Sequence, residues 1–158
     1  MSNLDSLVEA TVTRLSFDRE RAELRFEVSC VFGDRGRKVI VASGIEDLLV
    51  DDVRTYNIID RVTIFTAADA AQEINDCTKS LFYLMQKREL STSDLEWPAF
   101  KEKLARIQSG EFHLMEIEPV AGASAVVLAR LIAIESLPIQ DAEEKGEANH
   151  ASPLQPAS

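Results

Sequence analysis

The sequence predicts an α+β fold, a mainly antiparallel sheet of about six strands with two helices inserted between strands 4 and 5. Three observations carry this. Residues 22–32 alternate strictly, with Ala22, Leu24, Phe26, Val28 and Cys30 on one side and Glu23, Arg25, Glu27 and Ser29 on the other. Two consecutive runs of helical spacing, 66–87 and 96–108, stand between runs of strand character. The segment 124–136, SAVVLARLIAIES, is apolar at both parities, as expected of a strand covered on both faces or of a short buried helix. Its β-branched content favours strand.

Taken in order, residues 8–17 form the first strand, with Val8, Ala10 and Val12 alternating against Glu9, Thr11 and Thr13. Asp18–Arg21 is a four-residue hairpin loop. In the second strand the Glu–Arg–Glu face is wet, with cross-strand ion pairing to Arg14. Gly33–Gly36 is a turn, residues 37–42 are a third strand, and Ser43–Gly44 closes the meander. The segment 45–53 fits a helical turn or an irregular strand. A fourth strand at 57–66 puts Ile58, Val62 and Ile64 on one face, and parity assigns Asp60 to that face too.

Thr66 with Asp69 reads as the start of the first helix. Its apolar stripe is Ala70, Ile74, Cys77, Leu81, Phe82 and Met85, ending in basic Lys87 and Arg88. The second helix has Pro98 in its first turn and Gly110 beyond its end. Trp97, Phe100, Leu104 and Ile107 face inward, while Lys101, Glu102, Lys103 and Arg106 face water. Residues 111–118 and 124–136 are strands around a turn at 119–123, and Arg130 needs a carboxylate or water. The helices are expected on one face of the sheet, against the Leu24, Phe26 and Val28 row. The domain spans 1–137, and the polar residues 138–158 form a disordered tail.

With a formal charge of −10 and a pI near 4.7, the chain argues against nucleic acid and against anionic membranes, and suits a basic protein partner. The tail's Asp141, Glu143, Glu144 and Glu147 outnumber Lys145, and the rest of the net negative charge belongs to the domain. No leader or spanning segment is visible, so the expected compartment is the cytoplasm, where Cys30 and Cys77 are buried thiols.

Chemistry-bearing patterns are few. Gly33-Asp34-Arg35-Gly36 is too short for a phosphate loop. His113-x-x-Glu116-x-Glu118 has mixed parity, and the Glu46, Asp47, Asp51, Asp52 spacing does not match a calcium loop. No cofactor or metal is expected. The remaining candidate is Arg54-Thr55-Tyr56-Asn57, preceded by Asp51 and Asp52 and followed by Asp60 and Arg61. Tyrosine and arginine are hot-spot residues. Glu46, Asp47, Asp51, Asp52, Arg54, Tyr56 and Asp60 are thus the candidate partner-binding residues. A plainer reading makes Asn57 a turn residue and pairs Arg54 with a carboxylate.

The pattern Gly44-Ile45…Leu48-x-Val50-Asp51-Asp52-x-Arg54-x-x-Asn57-Ile58-Ile59 resembles a phrase found in small acidic bacterial immunity-type proteins of toxin systems. The resemblance covers about a tenth of the chain. It implies a small α+β protein that binds and neutralises a toxin domain, and it assigns no catalytic residue.

The leading expectation is therefore a non-enzymatic acidic protein-binding module. One alternative is a small-molecule binder or enzyme with a pocket between sheet and helices using His113, Glu116 or Arg130. Another is a structural homodimer made by pairing an exposed sheet edge.

Overall fold

A computed structural model describes residues 4–32, 36–71 and 74–138 of the chain. Two sequence expectations, most of the turn at 33–36 and the tail from 139 on, lie outside the described residues.

A 3-10 turn at Leu4–Leu7 leads into β1 (Thr11–Asp18), β2 (Glu23–Cys30), β3 (Gly36–Asp51) and β4 (Ile58–Phe65). The helices α1 (Asp76–Gln86) and α2 (Pro98–Gln108) follow, and then β5 (His113–Ala121) and β6 (Ser124–Leu137). All six strands are antiparallel neighbours in a closed barrel, β1-β2-β3-β6-β5-β4. The α+β class, the antiparallel pairing and the helix pair between strands 4 and 5 are as the sequence indicates.

Closure is narrow. β1 meets β4 through Thr11 and Ile58, with Val12 donating to the Asn57 carbonyl at 2.8 Å and Ile59 donating to that of Ala10 at 2.9 Å. By contrast β3 and β6 pair along nearly their full lengths, from Arg37–Leu137 to Asp51–Ser124. Ser43–Gly44 therefore does not end β3. Gly44 takes a left-handed φ of 65° beside Arg130, a bulge follows between Ile45 and Asp47, and the strand runs on to Asp51. Of the two readings of 45–53, the irregular strand is correct. The segment bends one long strand out of the meander and across β6.

Two apolar clusters hold the fold. The barrel interior contains Leu24, Phe26, Val28, Ile40, Ile59, Val62, Met115, Ile117, Ala125, Val127 and Ala129. The helix layer contains Phe65, Cys77, Leu81, Phe82, Phe100, Ile107, Phe112, Leu114, Val126 and Leu128. Alternate residues of β6 thus serve both clusters, which explains why that strand is apolar at both parities. The helices consequently do not meet the Leu24, Phe26 and Val28 row. They pack on the outer face of β5 and β6, and the β2 row fills the barrel. Cys30 belongs to the first cluster and Cys77 to the second, and no disulfide joins the two.

Several boundaries differ from expectation. β1 starts at Thr11, and Val8 is exposed before it. Thr66 and Asp69 do bond, through the Thr66 N–H at 2.7 Å, but close only a short turn. The helix begins at Asp76, where Asn75 and Thr78 form a reciprocal capping box. Ile74 lies before that cap and is exposed. The turn between β5 and β6 is only Gly122–Ala123. No helix of the described residues is long and apolar enough to cross a membrane.

Candidate functional site

At one end of the barrel the chain leaves β3 at Asp51 and enters β4 at Ile58 through an exposed loop. Asp52 opens it with a left-handed φ of 56°, a conformation that aspartate tolerates better than most residues. Asn57 closes it. The Asn57 side chain is buried and accepts the Arg54 N–H at 2.9 Å while donating to the Arg54 carbonyl at 2.7 Å. The same Oδ1 accepts the Ala123 N–H at 2.9 Å, which ties the loop to the β5–β6 turn. Gly122 lets the two approach, since a Cβ there would overlap the Tyr56 carbonyl and Asn57 Oδ1. Small, polar Asn57 and glycine are what this junction requires.

The loop so fixed presents Tyr56 at 73% exposure and Val53 at 58%. Val120 of β5 is also exposed, next to Ala121, which pairs with Ile58 at the foot of the loop. Arg54 pairs with Asp52 at 2.9 Å, as the plainer reading has it, and Asp52 holds the guanidinium charged by hydrogen bond and by charge. The other sequence candidates lie elsewhere. Asp51 pairs with Lys87 at 3.1 Å. Glu46 receives Arg106 at 2.8 Å and Lys103 at 3.6 Å, and Lys103 also reaches Asp47 at 3.5 Å. Lys103 and Arg106 therefore do not face open water as their helix position suggested. They turn to β3 and neutralise the acids there. Arg106 also pairs with Glu111 at 2.8 Å and lies 4.2 Å from the Phe112 ring centre. Its hydrogen bonds hold the Glu111 carboxyl below the usual range.

Asp60 is exposed rather than sharing a face with Val62. Bulges between Ile58 and Arg61 put both Ile59 and Val62 inside the barrel and leave Asp60 out. So the structure keeps Asp52, Arg54 and Tyr56 together on the loop, engages Glu46, Asp47 and Asp51 in ion pairs with Lys103, Arg106 and Lys87, and leaves Asp60 exposed on β4. Sequence reasoning overlooked Val53 and Val120, because exposed valines carry no signal in a strand-rich sequence.

His113, Glu116 and Arg130 do not converge. His113 pairs with Ala129, whose side chain joins the barrel core, and the His113 Nδ1 is buried without a hydrogen-bond partner among the described residues. Arg130 projects outward to Glu111 at 3.2 Å, the carboxylate partner it was expected to need. Glu116 lies opposite Val126, four residues or about 13 Å along β6 from Arg130. There the Ser80 hydroxyl of α1 donates to Glu116 at 2.6 Å. Burial raises the Glu116 carboxyl above its usual range despite that bond, and Glu118 and Asp76 add to the rise. Open grooves of about 430 Å³ and 440 Å³ flank the pair, both touching Lys79, Ser80 and Glu116.

Comparison with family models, with curated proteins and with solved structures gives no significant match.

Proposed function

We propose that the protein is a non-enzymatic module that binds a basic protein partner, in the manner of an immunity protein that neutralises a toxin domain. The observation that carries this reading is the loop between β3 and β4. It is pinned by the buried Asn57 yet offers Val53 and Tyr56 to solvent beside Asp52. A preorganised loop with an aromatic anchor loses little entropy on binding. The net charge of −10 favours encounter with a cationic surface. Glu46, Asp47 and Asp51 are already paired with Lys103, Arg106 and Lys87, which offset much of their charge, so the attraction belongs to the net charge of the chain rather than to these acids.

The test is affinity capture from the source cell with wild-type chain and with a Val53→Ser/Tyr56→Ala variant of unchanged melting temperature. A cationic protein retained by the wild type and lost by the variant supports the reading. Equal retention by both removes this loop as the contact.

A second reading, small-molecule binding, is favoured by the Ser80–Glu116 pair and its grooves. Thermal stabilisation by a small amine, absent in Glu116→Gln, would be its signature. No stabilisation by amines would set it aside.

A further inference from the structure

We propose that two copies of this chain associate through the free edge of β1, pairing antiparallel about a two-fold axis at Ser16. Narrow barrel closure creates the opportunity. β4 engages β1 only near Thr11 and Val12, so beyond that point Arg14–Asp18 is hydrogen-bonded to β2 on one side and to no strand on the other among the described residues. Soluble proteins avoid leaving such an edge open, because unpaired N–H and C=O groups recruit another strand.

The side chains along this edge match a second copy. A two-fold at Ser16 sets each Arg14 opposite the Asp18 of the second copy, and each Leu15 opposite its Phe17. Residues that pair across antiparallel strands share a face. The ion pairs would lie on the outer face. The apolar pairs would lie on the inner face, because Leu15 and Phe17 pair within the chain with the buried Phe26 and Leu24. Leu15 and Phe17 are 36% and 52% exposed although they sit on that inner face. A second copy would cover both. Charged residues on an edge ordinarily repel a foreign strand, but Arg14 and Asp18 stand at equal distances either side of Ser16, and the register centred there sets them opposite one another as two ion pairs. Shifting the pairing by one residue places like with unlike faces and returns Leu15 and Phe17 to water.

Sedimentation equilibrium of the full chain at high micromolar concentration tests the proposal. The wild type is expected to be dimeric. Arg14→Asp and Asp18→Arg each place like charges opposite one another and are expected to be monomeric. Their equimolar mixture is expected to recover dimer, since both contacts in the mixed pair again join opposite charges. Asp18 also accepts the Glu20 and Arg21 N–H groups at 3.0 and 3.1 Å, and its variant loses both of these turn contacts. Ser16→Cys is the independent probe. Opposed antiparallel Cα atoms stand about 4.5–5.5 Å apart, within disulfide reach. Mild oxidation should therefore give a covalent dimer, while Thr13→Cys, displaced from the axis, should give none. A monomeric wild type overturns the proposal and leaves the edge to another occupant, residues 139–158 or a strand of an unrelated protein. A dimer that both charge reversals leave intact, or a Ser16→Cys chain that does not cross-link, overturns it equally.

Discussion

The side-chain oxygen of Asn57 accepts the backbone N–H of Ala123 at 2.9 Å, across a sequence separation of 66 residues. It also accepts from Arg54, and its amide donates back to the Arg54 carbonyl. One buried amide thus joins the β3–β4 loop to the β5–β6 turn. Asn57→Ala leaves buried backbone groups unpaired and should cost about 2–4 kcal/mol of stability. Asn57→Asp keeps the two acceptor contacts but loses the donor and buries a charge, so it should also destabilise. Denaturant unfolding measures both, and Asn57→Ala within experimental error of wild type would contradict this account.

Gly122 and Gly110 both have left-handed backbones, with φ of 86° and 77°. A Cβ at Gly110 meets nothing within 4 Å among the described residues, whereas one at Gly122 overlaps the Tyr56 carbonyl and Asn57. Gly110→Ala should therefore cost only the conformational penalty, about 1 kcal/mol. Gly122→Ala should cost clearly more and shift Tyr56. Paired melting curves separate the two.

Glu116 ties pH to stability. Its carboxyl is raised in the folded state, chiefly by burial. Between the ordinary glutamate range and that raised value the folded chain holds a proton that the unfolded chain has released. Its contribution to stability therefore falls as pH rises through this window. Glu116→Gln removes the titration and retains an acceptor for Ser80. Relative to wild type, the variant's melting temperature should be higher at neutral pH than below the carboxylate range. An unchanged difference across pH would refute the linkage.

Cys77 is predicted to be inert in the native state. Burial, with Asp69 adding to it, pushes its thiol up to about 12. At about pH 8 roughly one such thiol in ten thousand is ionised. Cys30 is buried in the barrel as well. A disulfide reagent should react slowly with native protein and with both thiols promptly in denaturant. Rapid native labelling of Cys77 would show that α1 opens.

The helix layer depends on Phe82, which meets Phe100 edge-on at 5.7 Å and Trp97 at 6.2 Å, with the Arg88 guanidinium over its ring at 4.6 Å. Phe82→Ala should cost about 3–5 kcal/mol. Trp97 emission should report the loss, moving to longer wavelength as water enters. An unshifted spectrum would argue against this packing.

Short-range periodicity made most of the elements readable. The alternation through Leu24, Phe26 and Val28 marks a strand with one buried face, and Trp97, Phe100, Leu104 and Ile107 mark the inner stripe of α2. Pro98 at the helix start and the apolar run of β6 are equally local signals. The Asn57 turn and the Arg54–Asp52 pair were legible for the same reason, because both are made within a few residues.

What lay beyond the sequence was set by contacts between distant segments. Whether the Leu24 row met helices or filled a barrel depended on β4 returning to β1, a closure that no local pattern encodes. The bulge that expels Asp60 shifts parity by one residue, and apolar Ile58 and Ile59 stand side by side without revealing which is inside. Glu46 and Asp47 looked like a free acidic surface until Lys103 and Arg106, some 60 residues away, were placed on them. Composition and periodicity determined the class of fold, the elements and the charge. Tertiary structure alone decided which faces meet and which charges remain available, because burial and pairing are properties of neighbours in space.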